Sequence, residues 1–196
     1  MSPLIVASTI LSLTLYLPLC WLILKGKSEQ NFATWLLWGA LDGITAATLI
    51  VQNGNYAMTV AYTIGSLITV LCIARRQPMA WTRFESFVTF LVFLCLVVWW
   101  SAGAWTATIA GTLAVCVASI PQIAHTYREP IKMPVLIFAG YFVANLLSFL
   151  GGKSWSVEER FYPGCAAILC VILVVVALSR RFSLKTTNKA AMPIGL

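Results

Sequence analysis

The sequence predicts an all-α membrane protein with seven transmembrane helices. Of its 196 residues, 60% are apolar and only 10% are charged, and the mean hydropathy is +0.89. Soluble domains have about 45–50% apolar and about 25% charged residues, so this composition excludes a water-soluble globule, a disordered chain and a nucleic-acid-binding module. At ~20 residues for each span, the chain has room for about seven helices with short loops.

Seven apolar runs follow one another along the chain. The second and third are separated by the polar turn 52–55, which is a strong breaker signal, and the fourth and fifth meet at 101–103. The first run has no basic segment before it and no small-residue cleavage site, so it is predicted to be a retained helix rather than a signal peptide. The predicted spans are approximately residues 3–24, 32–51, 56–74, 84–101, 103–125, 133–150 and 161–179.

Lysine and arginine residues collect in alternate loops. They follow the first, third, fifth and seventh spans, whereas the loops after the second and fourth spans contain neither. The sixth loop contains Lys153 and Arg160, but Glu158 and Glu159 accompany them. Because cytoplasmic loops are enriched in lysine and arginine, the N-terminus is predicted outside and the C-terminus inside, in a plasma or inner membrane. Residues 182–196 then form a polar cytoplasmic tail.

The two halves of the chain are similar at a shift of 103 residues, which is the separation of Pro18 and Pro121. The same shift places Asp42 of the second span on Asn145 of the sixth. Because three is odd, two parallel three-helix repeats need one linker helix between them, and a substrate site lies between such repeats. The predicted units are a first repeat in 1–76, a loop and linker helix in 77–102, a second repeat in 103–181 and the tail.

The segment Ser119-Ile-Pro-Gln-Ile-Ala-His-Thr-Tyr-Arg128, at the end of the fifth span, resembles the PQ-loop motif. A first copy in residues 17–28 has similar spacing, with Leu19 where that family has glutamine. The chain is therefore similar to the PQ-loop superfamily, which includes the SWEET and SemiSWEET sugar facilitators and the cystinosin-like transporters. SWEET-like proteins share a pair of pocket asparagines on the third helix of each repeat, and the seventh span here has none.

This resemblance implies a carrier that works by alternating access between the two repeats. Its solute would be a sugar, an amino acid or a related metabolite. The alternative is a membrane receptor or signalling protein on the same seven-helix scaffold, because the KDEL retrieval receptor resembles the PQ-loop fold and binds a peptide. A receptor of that kind needs a large basic cavity for a peptide carboxylate, which these spans do not supply, so the carrier is the favoured hypothesis.

Asp42 lies about ten residues into the second span and is the only acidic residue so deep in an apolar run. A charge at the centre of the bilayer costs at least ~2.5–3.5 kcal/mol on insertion scales, and the spans contain no lysine or arginine to pair with it. Desolvation therefore favours a neutral carboxyl. Two hypotheses remain open: Asp42 carries a proton that is coupled to transport, or it hydrogen-bonds the solute or Asn145.

Aromatic side chains lie on the same helix faces as this carboxyl and its counterpart. Trp38 is one turn from Asp42, and Tyr141 is one turn from Asn145. Two such faces opposite each other would form a cavity with aromatic walls that suits a small polar solute, although tryptophan and tyrosine also form interfacial belts. The other predicted binding residues are polar side chains that are large enough to reach into a cavity from the first span, from the third span and from the turn just before it: Tyr16, Tyr62 and Asn55.

Pro18 and Pro121 lie near the predicted cytoplasmic ends of the first and fifth spans. Proline removes one helical hydrogen bond and frees the carbonyl four residues earlier. Each proline is therefore predicted to be a hinge at a gate, with a static kink as the alternative. Gln122 could supply an amide to the freed carbonyl beside the second proline.

The sequence predicts neither catalysis nor a cofactor. The chain has one histidine, and its six cysteines all fall within apolar runs, so neither a metal site nor a disulfide framework is indicated. It also lacks a nucleophile elbow and a pair of acids in one site. The expected partners are a small solute and the lipid bilayer.

Overall fold

The protein is built from helices joined by short connections. The computed structural model describes residues 2–76 and 83–190, without the side chains of residues 84–85 and 185–190. Every regular element in these ranges is helical, which confirms the predicted all-α class. The predicted loop residues 77–82 and the predicted tail residues 191–196 lie outside the described residues. The elements are α1 (Pro3–Leu24), α2 (Phe32–Val51), α3 (Ala57–Ala74), α4 (Arg83–Ala118), α5 (Ile120–Arg128), a 3-10 turn (Pro130–Lys132), α6 (Val135–Gly151) and α7 (Val157–Ala190).

Short polar side chains and glycine mark several helix ends. Ser2 and Asn31 cap α1 and α2, because their side-chain oxygens accept hydrogen bonds from the backbone amides of Ile5 (3.4 Å) and Thr34 (2.8 Å). After α1 the chain turns at Gly26, whose φ of 66° is in the left-handed region that glycine adopts readily. These boundaries therefore follow from local chemistry.

Within the described residues, five helical segments are long and apolar enough to cross a membrane, as a multi-pass membrane protein requires. The outer surface carries large apolar side chains such as Trp100, which is 95% exposed, and Leu136, which is 86% exposed. An apolar surface of this kind is favourable in contact with lipid and unfavourable in water. The apolar helix α6 is shorter, at 17 residues. The five segments are Pro3–Leu24, Phe32–Val51, Ala57–Ala74, Ser86–Arg128 and Val157–Leu184.

The long helix α4 is interrupted at Gly103, where φ is 83° and ψ is 174°. Glycine tolerates this non-helical conformation because it has no Cβ, and the sequence predicts the fourth and fifth spans to meet here. A second, smaller irregularity lies at Ser119, between the end of α4 at Ala118 and the start of α5 at Ile120. It is two residues before Pro121, where the sequence predicts a hinge or a static kink. Pro121 lies in the first turn of α5, where its missing amide proton is not needed. The predicted fifth span is therefore divided between α4 and α5, although the backbone of Ser119 keeps a helical conformation (φ −81°, ψ −12°).

The last helix, α7, is longer than the predicted seventh span. It begins at Val157, and Glu158 and Glu159 lie in its first turn, where negative charge stabilises a helix N-terminus. It continues to Ala190, so residues 182–190 of the predicted polar tail are helical. Lysine, threonine and asparagine end an apolar run, but only glycine and proline strongly disfavour the helix itself.

The helices close into a ring in the order α1, α3, α2, α4, α7 and α6, and α6 packs back on α1. It is the part of α4 after Gly103 that meets α2, since the hydroxyls of Thr108 and Thr48 lie 2.8 Å apart. Close approach along this contact depends on Gly111, where a Cβ would come within 2.8 Å of the Thr45 hydroxyl. This arrangement leaves a buried space at the centre of the ring.

Candidate functional site

A buried cavity lies at the centre of the helix ring, between α1, α2, α3, α4, α6 and α7. Water-sized molecules can occupy about 60 Å³ of it. Because one water needs roughly 10–15 Å³ by this measure, the cavity has room for a few waters or a small solute. The structure places six of the seven predicted binding residues on its wall: Trp38, Asp42, Tyr141, Asn145, Tyr62 and Tyr16.

Asp42 reaches into this cavity from α2. The residue is 4% exposed, and its Oδ1 accepts a hydrogen bond from the Tyr162 hydroxyl at 2.6 Å. Across the described parts of the chain, no lysine or arginine side chain forms an ion pair with it. An isolated carboxylate is unfavourable in an apolar interior. Either a proton or a bound cation is therefore needed to balance the charge of Asp42.

Tyr162, the hydrogen-bond partner of Asp42, is a cavity residue that the sequence analysis missed. A tyrosine at the edge of a predicted span suggests an interfacial position. The earlier start of α7 at Val157 instead places Tyr162 more than one turn inside the helix, where it is 3% exposed. One signal was present in the sequence: Tyr162, Ala166 and Leu169 are spaced by four and three residues, so they share a helix face, and all three line the cavity.

Asn145 faces the cavity from α6 and is fully buried. Its Nδ2 donates to the Tyr62 hydroxyl at 2.7 Å and to the Tyr141 carbonyl at 2.8 Å. Its Oδ1 is buried and has no hydrogen-bond partner within residues 2–76 and 83–190. The hydrogen bonds of Asp42 and Asn145 therefore go to different tyrosines, and a ligand in the cavity would find one unoccupied amide oxygen.

These two side chains connect helices that are not neighbours in the ring. The bond from Tyr162 to Asp42 joins α7 to α2, and the bond from Asn145 to Tyr62 joins α6 to α3. Both bonds therefore cross the centre of the ring. Movement of one side of the ring relative to the other would change both of them.

Aromatic rings form much of the cavity wall, since seven of the fifteen described lining residues are aromatic. The ring of Tyr16 has its centroid 6.1 Å from that of Trp35, 6.4 Å from that of Tyr62 and 5.3 Å from that of Tyr141. Trp35 and Trp38 meet edge to face, with centroids 5.1 Å apart. Tilted and edge-to-face contacts are favourable for such rings. The wall is therefore rich in π-electron surface.

The position of Tyr16 depends on Gly65 of α3. A Cβ at this glycine would lie 2.1 Å from Cε2 of Tyr16. We expect Gly65→Ala to displace the Tyr16 ring and to lower the free energy of unfolding by about 1–3 kcal/mol, measured by thermal unfolding in detergent. Gly43→Ala is the matched control, since its Cβ would meet only Thr63, with Cγ2 at 3.6 Å and Oγ1 at 3.9 Å. Equal unfolding temperatures for the two variants would contradict this account.

Asn55, the seventh predicted binding residue, does not lie on the cavity wall. Its Nδ2 donates to the Ser148 hydroxyl at 2.9 Å and to the carbonyls of Ser148 and Glu159, each at 3.3 Å. Its backbone amide donates to the Glu158 carbonyl at 3.0 Å. Asn55 precedes the first residue of α3, so it lies at one end of the ring. There it ties the α2–α3 connection to the end of α6 and the start of α7.

The three residues predicted at a gate do not line the cavity either. Pro18 is on an exposed face of α1, which continues through it. Gln122 is buried, but neither of its amide atoms has a hydrogen-bond partner in the described ranges, so it does not satisfy the carbonyl freed by Pro121. Before this proline, the amide and hydroxyl of Ser119 both donate to the Val115 carbonyl, at 3.1 and 2.7 Å.

Searches against protein-family models, curated proteins and solved structures found no match. The described residues also contain no group of three histidine, cysteine, aspartate or glutamate side chains that could hold a metal ion. The functional interpretation therefore depends on the geometry of the cavity.

Proposed function

We propose that the protein is a carrier that moves a small polar solute across a membrane by alternating access, with proton coupling at Asp42. The central cavity is the observation that carries this proposal. It is buried, it is lined from both halves of the chain, and it contains a carboxyl and an unoccupied amide oxygen among aromatic rings. Transporters built from repeats bind their solutes at such a position, between the two repeats.

The length of the segment Ser86–Arg128 supports seven crossings. Its 43 residues would span about 65 Å at 1.5 Å for each residue, which is about twice the ~30 Å hydrocarbon core. The break at Gly103 divides it into two parts of suitable length. In this proposal the part before Gly103 is the linker helix, and the part after it begins the second repeat together with α5.

The order of helices around the ring supports a two-repeat architecture. Half of the ring is α1, α3 and α2, and the other half is α4, α7 and α6. If α4 contributes the first helix of the second repeat, both halves follow the order first, third, second. Two parallel repeats related by an axis along the membrane normal would produce this order, as the resemblance to the PQ-loop superfamily implies.

Alternating access requires contacts between the repeats that can break and re-form. The tie from Asn55 to Ser148 and Glu159 is one such contact, at one end of the ring. We place the hinges at Pro18 and Pro121, which lie toward the end of the ring opposite Asn55. Opening of the cavity on the Asn55 side would break this tie, while bending near the prolines would open the opposite side.

The distribution of lysine and arginine favours an N-terminus outside and a C-terminus inside a plasma or inner membrane. Single cysteines introduced as Asn53→Cys and Ser183→Cys into a cysteine-free variant test this orientation. A membrane-impermeant thiol reagent added outside intact cells is expected to label position 53 at least ten times faster than position 183. Similar labelling of both positions from one side would exclude this topology.

Counterflow in proteoliposomes tests the carrier proposal. Vesicles loaded with an unlabelled candidate solute are expected to take up the labelled solute transiently above its equilibrium level, because a carrier exchanges solute between its two faces. Empty vesicles and vesicles with Gly65→Ala protein are the controls. Binding of a ligand without counterflow, across sugars, amino acids and amines, would instead support the receptor alternative.

A further inference from the structure

The cavity has an unusual balance of charge. Among the described residues on the cavity wall, only Asp42 has a side chain that can carry a charge near neutral pH, because no lysine, arginine or histidine lines the cavity. Among the described residues, the charged pairs are Lys132 with Glu29 and Lys153 with Glu159, and none of these four lines the cavity. The other titratable groups that face Asp42 from α1, α3, α6 and α7 are ordinarily neutral at this pH: Tyr16, Tyr62, Tyr141, Tyr162 and Cys170.

The aromatic wall has the chemistry that attracts cations. The faces of tryptophan and tyrosine rings carry negative partial charge, and they bind ammonium groups within about 6 Å of the ring centroid. Trp35, Trp38, Tyr16 and Tyr141 form a continuous set of neighbouring rings on this wall. A carboxylate beside such a set favours a cation over a neutral solute of the same shape.

The hydrogen-bonding groups agree with this preference. The Asn145 amide uses its Nδ2 for bonds within the protein and leaves Oδ1 without a partner in the described residues. This oxygen can accept a hydrogen bond from an N–H or O–H group. A solute carboxylate, by contrast, would meet the negative faces of the rings and the carboxyl of Asp42, with no basic side chain to balance it.

We propose that the solute is a small organic cation, an amine or a quaternary ammonium compound without a carboxylate, held among the aromatic rings with its charge against Asp42. This inference rests on the proposed carrier function and specifies its substrate class. The occluded cavity is neutral either with the cation bound to the Asp42 carboxylate or with a proton on it. The cation and the proton therefore compete for one group and cross the membrane in exchange.

Three probes of similar shape separate charge from size. Choline carries a quaternary ammonium, 3,3-dimethylbutan-1-ol replaces its nitrogen by carbon, and glycine betaine adds a carboxylate. Binding to purified protein can be followed by tryptophan fluorescence, because Trp35 and Trp38 line the cavity. We expect choline to bind at least ten times more tightly than either of the other two compounds. Choline binding should also weaken as the pH falls from 8 to 5.5, since protons compete for Asp42.

Asp42→Asn should reduce the affinity for choline at least tenfold and remove its pH dependence. Glu29→Gln is the matched control, because this carboxyl pairs with Lys132 outside the cavity. If Asp42→Asn does not fold, the pH dependence of the wild-type protein still tests the competition. Equal binding of choline and its neutral isostere, or binding of choline that is independent of pH, would overturn the inference and leave the carrier proposal intact. Choline binding with the expected pH dependence but without counterflow would support the cation site and contradict the carrier.

Discussion

Asp42→Asn is expected to abolish the accumulation of solute that a pH gradient drives. An amide neither takes up nor releases a proton, although its oxygen can still accept the hydrogen bond that Tyr162 donates to Asp42 Oδ1 at 2.6 Å. If one proton is coupled to one solute, each pH unit supports about a tenfold concentration ratio in the wild-type carrier. In Asp42→Asn vesicles the ratio should stay near one, measured with labelled solute in proteoliposomes.

The side on which solute accumulates distinguishes the modes of coupling. Exchange of a cation for a proton predicts accumulation on the acidic side, whereas joint movement with a proton predicts accumulation on the alkaline side. Glu29→Gln is the control and should behave as the wild type, because it removes a carboxyl outside the cavity. If Asp42→Asn still accumulates solute, Asp42 is not the coupling group. If the wild-type protein ignores the gradient, it is a facilitator in which Asp42 only hydrogen-bonds.

Asn55→Ala is expected to destabilise the protein without changing the chemistry of the cavity. The substitution removes the Nδ2 bonds to Ser148 and Glu159 and leaves two backbone carbonyls without this donor. Each unsatisfied buried group costs about 1–3 kcal/mol, so we expect a loss of about 2–4 kcal/mol in the free energy of unfolding. Thermal unfolding in detergent measures this loss.

Asn53→Gly is the matched control for this substitution. Asn53 lies in the same turn with a φ of 55°, a conformation that glycine adopts without strain, so this variant should retain nearly the wild-type stability. The intrinsic affinity for solute should be similar in both variants, measured in detergent after correction for the folded fraction. A specific loss of solute affinity in Asn55→Ala, with unchanged stability, would instead support the prediction that Asn55 binds the solute.

Much of the helical framework could be predicted from the sequence, because the signals involved are local. The polar turn after residue 51 and the glycine at position 103 interrupt apolar runs, and in the structure the helices end or break at these places. Asp42 stands out because an ionisable group in an apolar run is costly wherever the helices pack, and Asn145 because it is the counterpart of Asp42 at the shift of 103 residues. Helix α7 continues to Ala190, into the predicted polar tail, because polarity marks the end of an apolar run and not the end of a helix.

The identity of each hydrogen-bond partner was decided only by tertiary structure. Tyr162 lies 120 positions from Asp42, and Tyr62 lies 83 positions from Asn145. Periodicity shows which face of a helix is polar, but it does not show which helix stands opposite or at what height along the axis. The order of helices in the ring decides which helix stands opposite, and the start of α7 at Val157 decides the height of Tyr162 along the axis. The same packing places Trp38 on the cavity wall. Asn55 is also polar and belongs to the first repeat, but it lies at the end of the ring because the turn before α3 is beyond the cavity.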